Sequence, residues 1–324
     1  MIDSKTIKQK AIEYGADIVG IGDIKRYEGV SPLHDPRYIL PDAECVIGFG
    51  FRIPRGIIRA MENKTQSYTY TSLGVKSISE ELSETFLLRM AGFIEDDGYE
   101  ACIQRSTPNI RTRDDFGTNP EVKATRQLVY SESVGAGKPE PDVIINTEQS
   151  AVICGLGTYG LRGNVLTPDF GPFQRFVFII TNAPLECDAV MEDSLCDKCL
   201  ECEEACPGKA ITTNEYGNTE YDKWQCSVYY RGAHESNPYL TEDFLRGDPL
   251  RNEIIGGKKR FSPEEAIAIY DQLKFLPETQ YGYVPCLCGM KCDVACYRHL
   301  YEKGLITRKY RLGFANERKG DSHE

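Results

Sequence analysis

The stretch CDKCLECEEACP, from Cys196 to Pro207, constrains this chain more than any other. Its four cysteines are separated by two, two and three residues, and a proline follows the last. Three thiolates on so tight a loop can each reach a different iron of one cubane cluster. The fourth opens a helix that points away, so it serves a second cube. Proline suits the first turn of that helix, where a missing amide costs nothing. Zinc, the other metal for clustered thiolates, is normally held by paired CxxC knuckles. Each cube takes four cysteines, so the fold has to bring further cysteines to this run.

A second group supplies them: Cys286, Cys288, Cys292 and Cys296, in CLCGMKCDVAC. In the two-cluster arrangement, Cys296 completes the first cube with Cys196, Cys199 and Cys202, and Cys206 joins the second with Cys292. A regular run would place a cysteine at 289, where the chain has Gly289. Cys226, in DKWQCSVYY, is the spare that fills the gap. The expected second set is therefore Cys206, Cys226, Cys288 and Cys292, with Cys286 competing with Cys288. Nine of the 13 cysteines lie between Cys196 and Cys296, in a chain of 324 residues that is neither short nor visibly secreted. That usage points to metal rather than to a disulfide scaffold. Cys45, Cys102 and Cys154 fall in or beside apolar runs and read as small buried hydrophobes, and Cys187 reads as structural.

Upstream, strand-like and helix-like signals interleave. ADIVGIG, ECVIGFGF, YEACIQR and RFVFIIT read as strands. Ser4 is placed to cap a helix that carries Ile7, Ala11 and Ile12 and stops at Gly15. Residues 76–95 have helical spacing, with Ile78, Leu82, Phe86, Met90 and Phe93 near one face. Residues 106–140, rich in Thr, Asn, Gly, Pro and Arg, read as an irregular loop, either a surface connection or a cover for a cofactor. The texture changes near residue 190, which divides an α+β domain, 1–190, from a cysteine-rich one, 191–324. Within the latter, Ser262, Pro263 and Glu265 spell a capped helix start.

The formal net charge of −11 argues against a nucleic-acid surface as the main business. No apolar run reaches membrane-spanning length. The opening MIDSKTIKQKAIEYGAD has neither a signal-peptide core nor a twin-arginine pair, and a cytoplasmic location without membrane association is expected.

Three close-set glycines, Gly155, Gly157 and Gly160, stand upstream of the cysteines. Alone they are a weak sign, compatible with a flat or phosphorylated ligand or with a glycine-rich connection. Taken together, GLGTYGLRGNVLTPDFG, FIITNAPLE, CDKCLECEEACP and the Cys226 segment form a continuous pattern, and IEYGADIVGIG precedes it. That pattern resembles the superfamily of epoxyqueuosine reductases and reductive dehalogenases. The resemblance implies a nitroreductase-like, cobalamin-binding domain followed by a ferredoxin-like domain with two [4Fe-4S] clusters. It also places the extra ligand of the second cluster at Cys226. Gly155, Leu156, Gly157, Gly160, Thr167, Pro168 and Gly171 match the segment that lines cobalamin in that superfamily.

This sequence departs from it in several places. The chain ends 28 residues after Cys296, with no helical-repeat extension, so a tRNA substrate is not expected. The proton-donating aspartate has no clear match, Asp142 being one position off. Thr158 stands where the tRNA enzymes have tryptophan, and Leu161 where dehalogenases have arginine, with Arg162 next. Tyr70, Tyr159 and Arg162 are the candidate proton donors and substrate-orienting group. The function implied is a cobalamin-dependent oxidoreductase, taking electrons from reduced ferredoxin or flavodoxin and acting on a small organic substrate under anaerobic conditions. The alternative is an electron-transfer protein that reduces the corrinoid of a partner.

Overall fold

The run CVIGFGFR has almost nothing polar to show to water. It forms a strand, β2 (Cys45–Arg52), whose first seven residues are buried. The computed structural model describes residues 2–105, 132–140, 143–277 and 283–311. Most of the 106–140 stretch, and Asp142, lie outside these residues.

The chain separates into two compact units. The first takes in residues 1–52, 76–167 and 174–197, and the second residues 53–75, 168–173 and 198–324.

In the first unit, β2 and β6 (Gln174–Thr181) are the central strands of a four-stranded sheet. β1 (Ile18–Asp23) and β3 (Ala101–Gln104) are its edges, and the order is β1-β2-β6-β3, antiparallel throughout. All four strands are those the apolar runs predict. Alternation along β2 sends Phe49 and Phe51 to one face, where their rings meet Phe86 edge-on at 4.8 and 5.1 Å. Val46 goes to the other face, with Phe176, Phe178 and Ile180. Cys45 and Cys154 are buried, as small hydrophobes should be.

The first helix, α1 (Ser4–Tyr14), stops at Gly15 in the left-handed region as expected. Its cap is Asp3 rather than Ser4: the Asp3 carboxylate accepts from the Thr6 amide, while the Ser4 hydroxyl donates to Glu186 O. Next come α2 (Arg55–Glu62), in the second unit, and a π-helix over Tyr70–Leu82 that leads into α3 (Ser83–Glu95). The apolar spacing over 76–95 predicts one regular helix; only its second half is one. A short helix, α4 (Thr147–Ile153), capped by Asn146, precedes the glycine segment, which contains the small hairpin β4 (Thr158–Tyr159) and β5 (Val165–Leu166).

The second unit is mainly helical. It holds α5 (Glu201–Glu204), the hairpin β7 (Ile211–Thr213) and β8 (Thr219–Tyr221), α6 (Lys223–Tyr230), α7 (Arg251–Ile255), α8 (Pro263–Ile269) and α9 (Lys291–Glu302). Its core packs Trp224, Val228 and Tyr229 of α6 against Phe244, Ile254, Phe261 and Ile269. The predicted capping box forms: Ser262 and Glu265 bond reciprocally at the start of α8, with Pro263 in its first turn. Gln225, fully buried, donates to Gly208 O and Lys259 O and accepts from the Phe261 amide, so the loop after Cys206 is tied to this core. Among the described residues, no helix is long and apolar enough to cross a membrane.

Candidate iron–sulfur centre

Six non-glycine residues among those described have left-handed backbones, and four of them flank cluster-type cysteines: Lys198, Leu200, Lys209 and Met290. Each such residue costs about 1–2 kcal/mol. Strain held at a site is a common mark of a functional constraint. Here it turns the chain sharply so that successive cysteines are not carried off along a regular element.

Cys196 belongs to the first unit, and the other eight cysteines of the two groups to the second. Within the second unit, α5, which carries Cys202, packs along α9, which carries Cys292 and Cys296. His299, one turn beyond Cys296, donates from Nδ1 to Glu201 Oε1 (2.8 Å), and a ring nitrogen lies within 4.8 Å of Cys199 Sγ. His299 was not among the residues singled out by sequence, although its spacing of three from Cys296 places both on one helical face.

The segments of Cys206 and of Cys286–Cys288 are tied to the two ends of α6, the helix that carries Cys226. At the N-terminal end of that helix, the Asp222 amide donates to Ala210 O (2.8 Å), and the Ala210 amide donates to Cys206 Sγ (3.3 Å). At its C-terminal end, the Leu287 amide donates to Tyr230 O (2.9 Å), which fixes the Cys286–Cys288 segment. Cys226 sits between the two anchors, in the middle of the helix. Cys286 and Cys288 are both buried, and their sulfurs lie 3.7 Å apart. That is closer than two irons of one cubane hold their thiolates, so the pair as it stands does not match two ligands of one cube. The Cys286 thiol and burial hold the Cys288 thiol well above its ordinary pKa. It would ionise against a bound metal, which deprotonates a coordinating thiol outright. The donor set thus fits an iron–sulfur cluster chemically.

These thiols line a cavity of about 420 Å³, with Lys64, Lys291, Glu62 and Arg298 among its walls. Arg298 donates to Glu62 (2.8 Å), and burial raises the Glu62 pKa against that pairing. Lys291 Nζ donates to Ser236 Oγ (2.7 Å), and the Ser236 hydroxyl lies 2.9 Å from His234 Nδ1. Burial, with Lys291 nearby, pushes the His234 pKa down to about 4, so its imidazole is neutral at pH 7. Burial and Lys64 also push the Lys291 pKa down.

The three candidate catalytic groups do not fall in one unit. Tyr70 is in the second, buried at the start of the π-helix; Tyr159 and Arg162 are in the first, on and beside the small hairpin. Tyr70 and Cys286 are both electrostatic neighbours of Tyr230, whose hydroxyl lies 3.4 Å from Thr71 Oγ1 and whose pKa burial holds well above its ordinary value. Tyr159 is 46% exposed, and partial burial raises its pKa.

In the glycine segment, a Cβ on Gly157 would lie 2.2 Å from Leu166 O. One on Gly155, whose φ is +74°, would lie 2.4 Å from Ala189 O. Leu156 is in the core below the sheet. Gly160 closes the hairpin turn, its amide donating to Asn164 O (2.7 Å). Thr167 donates to Gln174, Thr158 accepts from the Leu195 amide, and in the second unit Pro168 O accepts from Thr307 while Gly171 packs on Tyr297, Leu300 and Ile306. These groups are engaged within the protein, so a corrinoid at this segment rests on the sequence pattern alone.

The described residues form a mixed helix-and-sheet protein whose cysteines follow an iron–sulfur spacing. No family model matches the chain. Over 65 residues, 19% of this chain and 13% of the relative, it is 40% identical to the tetrachloroethene reductive dehalogenase of Sulfurospirillum multivorans. Over 102 residues, 32% of this chain and 24% of the relative, it is 28% identical to the epoxyqueuosine reductase of Bacillus anthracis. The match therefore spans less than a quarter of either curated protein. Similar solved structures include an epoxyqueuosine reductase with a tRNA-Tyr stem loop (15% identity, 90% of this chain and 69% of that one, TM-score 0.45). Another is a reductive dehalogenase in complex with 3-bromo-4-hydroxybenzoic acid (17% identity, 82% and 35%, TM-score 0.42). Stretches of the chain are thus similar in sequence to a reductive dehalogenase and to an epoxyqueuosine reductase.

Proposed function

We propose that this protein is a reductase that works through two [4Fe-4S] clusters and a bound corrinoid and acts on a small organic substrate. The observation that carries the reading is the anchoring of the Cys206 and Cys286–Cys288 segments at the two ends of the short helix that carries Cys226, with the helices of Cys202 and Cys296 packed beside each other. Cys196, Cys199, Cys202 and Cys296 would hold the first cluster, and Cys206, Cys226, Cys288 (or Cys286) and Cys292 the second. The clusters supply one-electron reducing equivalents, drawn from reduced ferredoxin or flavodoxin, and the corrinoid, held at Gly155–Gly160 and Thr167–Gly171, the reducing metal. Of the candidate groups, Tyr70, which is an electrostatic neighbour of Tyr230 as Cys286 and Cys288 are, is our proton donor. The charge of −11 favours a small molecule over tRNA as substrate.

A second reading, an electron-transfer protein serving a partner's corrinoid, is favoured by the internal engagement of the glycine segment. Anaerobic reconstitution with iron, sulfide and hydroxocobalamin, followed by desalting, separates the two. Retained corrin absorbance with about eight irons per chain, two cubes' worth, supports the reductase. Loss of all corrin absorbance at the same iron content sinks it in favour of the second. Cys226→Ser is expected to halve the iron, leaving the first cluster's spectrum intact; a variant that keeps both clusters would mean that Cys226 is no ligand.

A further inference from the structure

Lys291 opens α9 one residue before Cys292 and lines the same cavity as Cys286 and Cys288. Its ammonium is held by neutral groups: Nζ donates to Ser236 Oγ, and the Ser236 hydroxyl lies 2.9 Å from Nδ1 of the His234 imidazole, itself 2% exposed. Among the described residues, no carboxylate forms an ion pair with it. A lysine side chain has considerable rotamer freedom to lose, and a hydrogen bond to Ser236, itself held by His234, sets its positive charge at a fixed place without an ion pair to neutralise it. Lys64, the other lysine of the cavity, is exposed at its rim, where solvent and salt screen it.

We propose that Lys291, positioned by Ser236 and His234, raises the midpoint potential of the second cluster. The proposal rests on the reading of Cys206, Cys226, Cys288 (or Cys286) and Cys292 as that cluster's ligands. Reduction adds one electron, taken from the donor protein, and no proton to a centre already negative through its four thiolates. A nearby ammonium attracts the reduced centre more strongly than the oxidised one. In a partly buried site that difference is not erased by water, and net charge around a cluster is one of the factors that set its potential. Lys291 is thus a positioning residue for the electron, since it touches neither substrate nor corrinoid in this scheme.

The test is an anaerobic redox titration of the full, cluster-loaded chain, followed by electron paramagnetic resonance of the reduced clusters. Lys291→Gln is expected to raise the oxidised-to-reduced ratio of one cluster about tenfold at the wild-type midpoint, a fall of about 59 mV for a one-electron couple. The other cluster stays unchanged. Lys291→Arg, which keeps the charge, should stay within threefold of wild type. Ser236→Ala should shift the same cluster in the same direction by less, and it decides the matter if Lys291→Gln fails to take up a second cluster. Unchanged midpoints at full iron content overturn the proposal and leave the functional reading standing. A wild-type protein that binds fewer than about eight irons sinks that reading first, and this proposal with it.

Discussion

At the scale of single residues, His234 carries the clearest pH dependence. It binds its proton less readily in the folded chain, about 4, than its ordinary value of 6.5. The unfolded chain therefore takes up more protons between those values. This contribution to stability is complete above about 6.5 and is lost as pH falls toward 4, on the order of 3 kcal/mol in all. Denaturant midpoints at pH 7 and 4.5 should fall less for His234→Asn than for wild type; parallel curves would mean that the imidazole is not buried neutral. Gly157 tests a different force. A Cβ there would meet Leu166 O at 2.2 Å, so Gly157→Ala is expected to cost about 1–3 kcal/mol in chemical denaturation. An alanine variant of wild-type stability would show that the hairpin gives way freely, and would restore a ligand as the reason for the glycine.

At the scale of elements, α8 is the simplest case. Ser262→Ala removes the acceptor of the Glu265 amide and should lower stability by about 1 kcal/mol, measured by thermal melting, with no change in iron content. This helix start was legible because a capping box is a local code: four residues specify both hydrogen bonds. The strands were legible for a related reason, since β2 and β6 are buried on both faces and can afford few polar residues. The start of α1 was misplaced by one residue because Asp3 and Ser4 are both able caps, and only the Glu186 carbonyl, far along the chain, decides which side chain turns inward. The π-helix was not legible. Apolar residues four apart suit an α-helix and a slightly wider coil alike over three turns, and Leu82, counted on the buried face, is 46% exposed. For the cysteines, spacing suggests a ligand set but leaves open the choice between Cys286 and Cys288, because sequence says nothing of two sulfurs 3.7 Å apart.

At the scale of the whole molecule, the second unit is not a continuous length of chain. Residues 53–75 and 168–173 belong to it. The Phe173 ring lies 5.6 Å from that of Tyr297, Arg55 stacks over Tyr301, and the Thr307 amide donates to Pro168 O. A fragment of residues 198–324 expressed alone would lack all three contacts. It is expected to recover less iron per chain than the full protein and to unfold without a cooperative transition; iron equal to that of the full chain would show the earlier segments to be dispensable. The same interleaving sets an order of events during synthesis. The sheet of the first unit has its last strand at Thr181, before any residue of the cysteine run has left the ribosome. Residues 53–75 and 168–173 emerge early and must wait, with their apolar partners unmade, until α9 arrives. On the proposed reading, the machinery that loads iron and sulfide meets a nascent protein whose four-stranded sheet can already be formed and whose second unit is still open, and metal insertion becomes the step that ends its maturation.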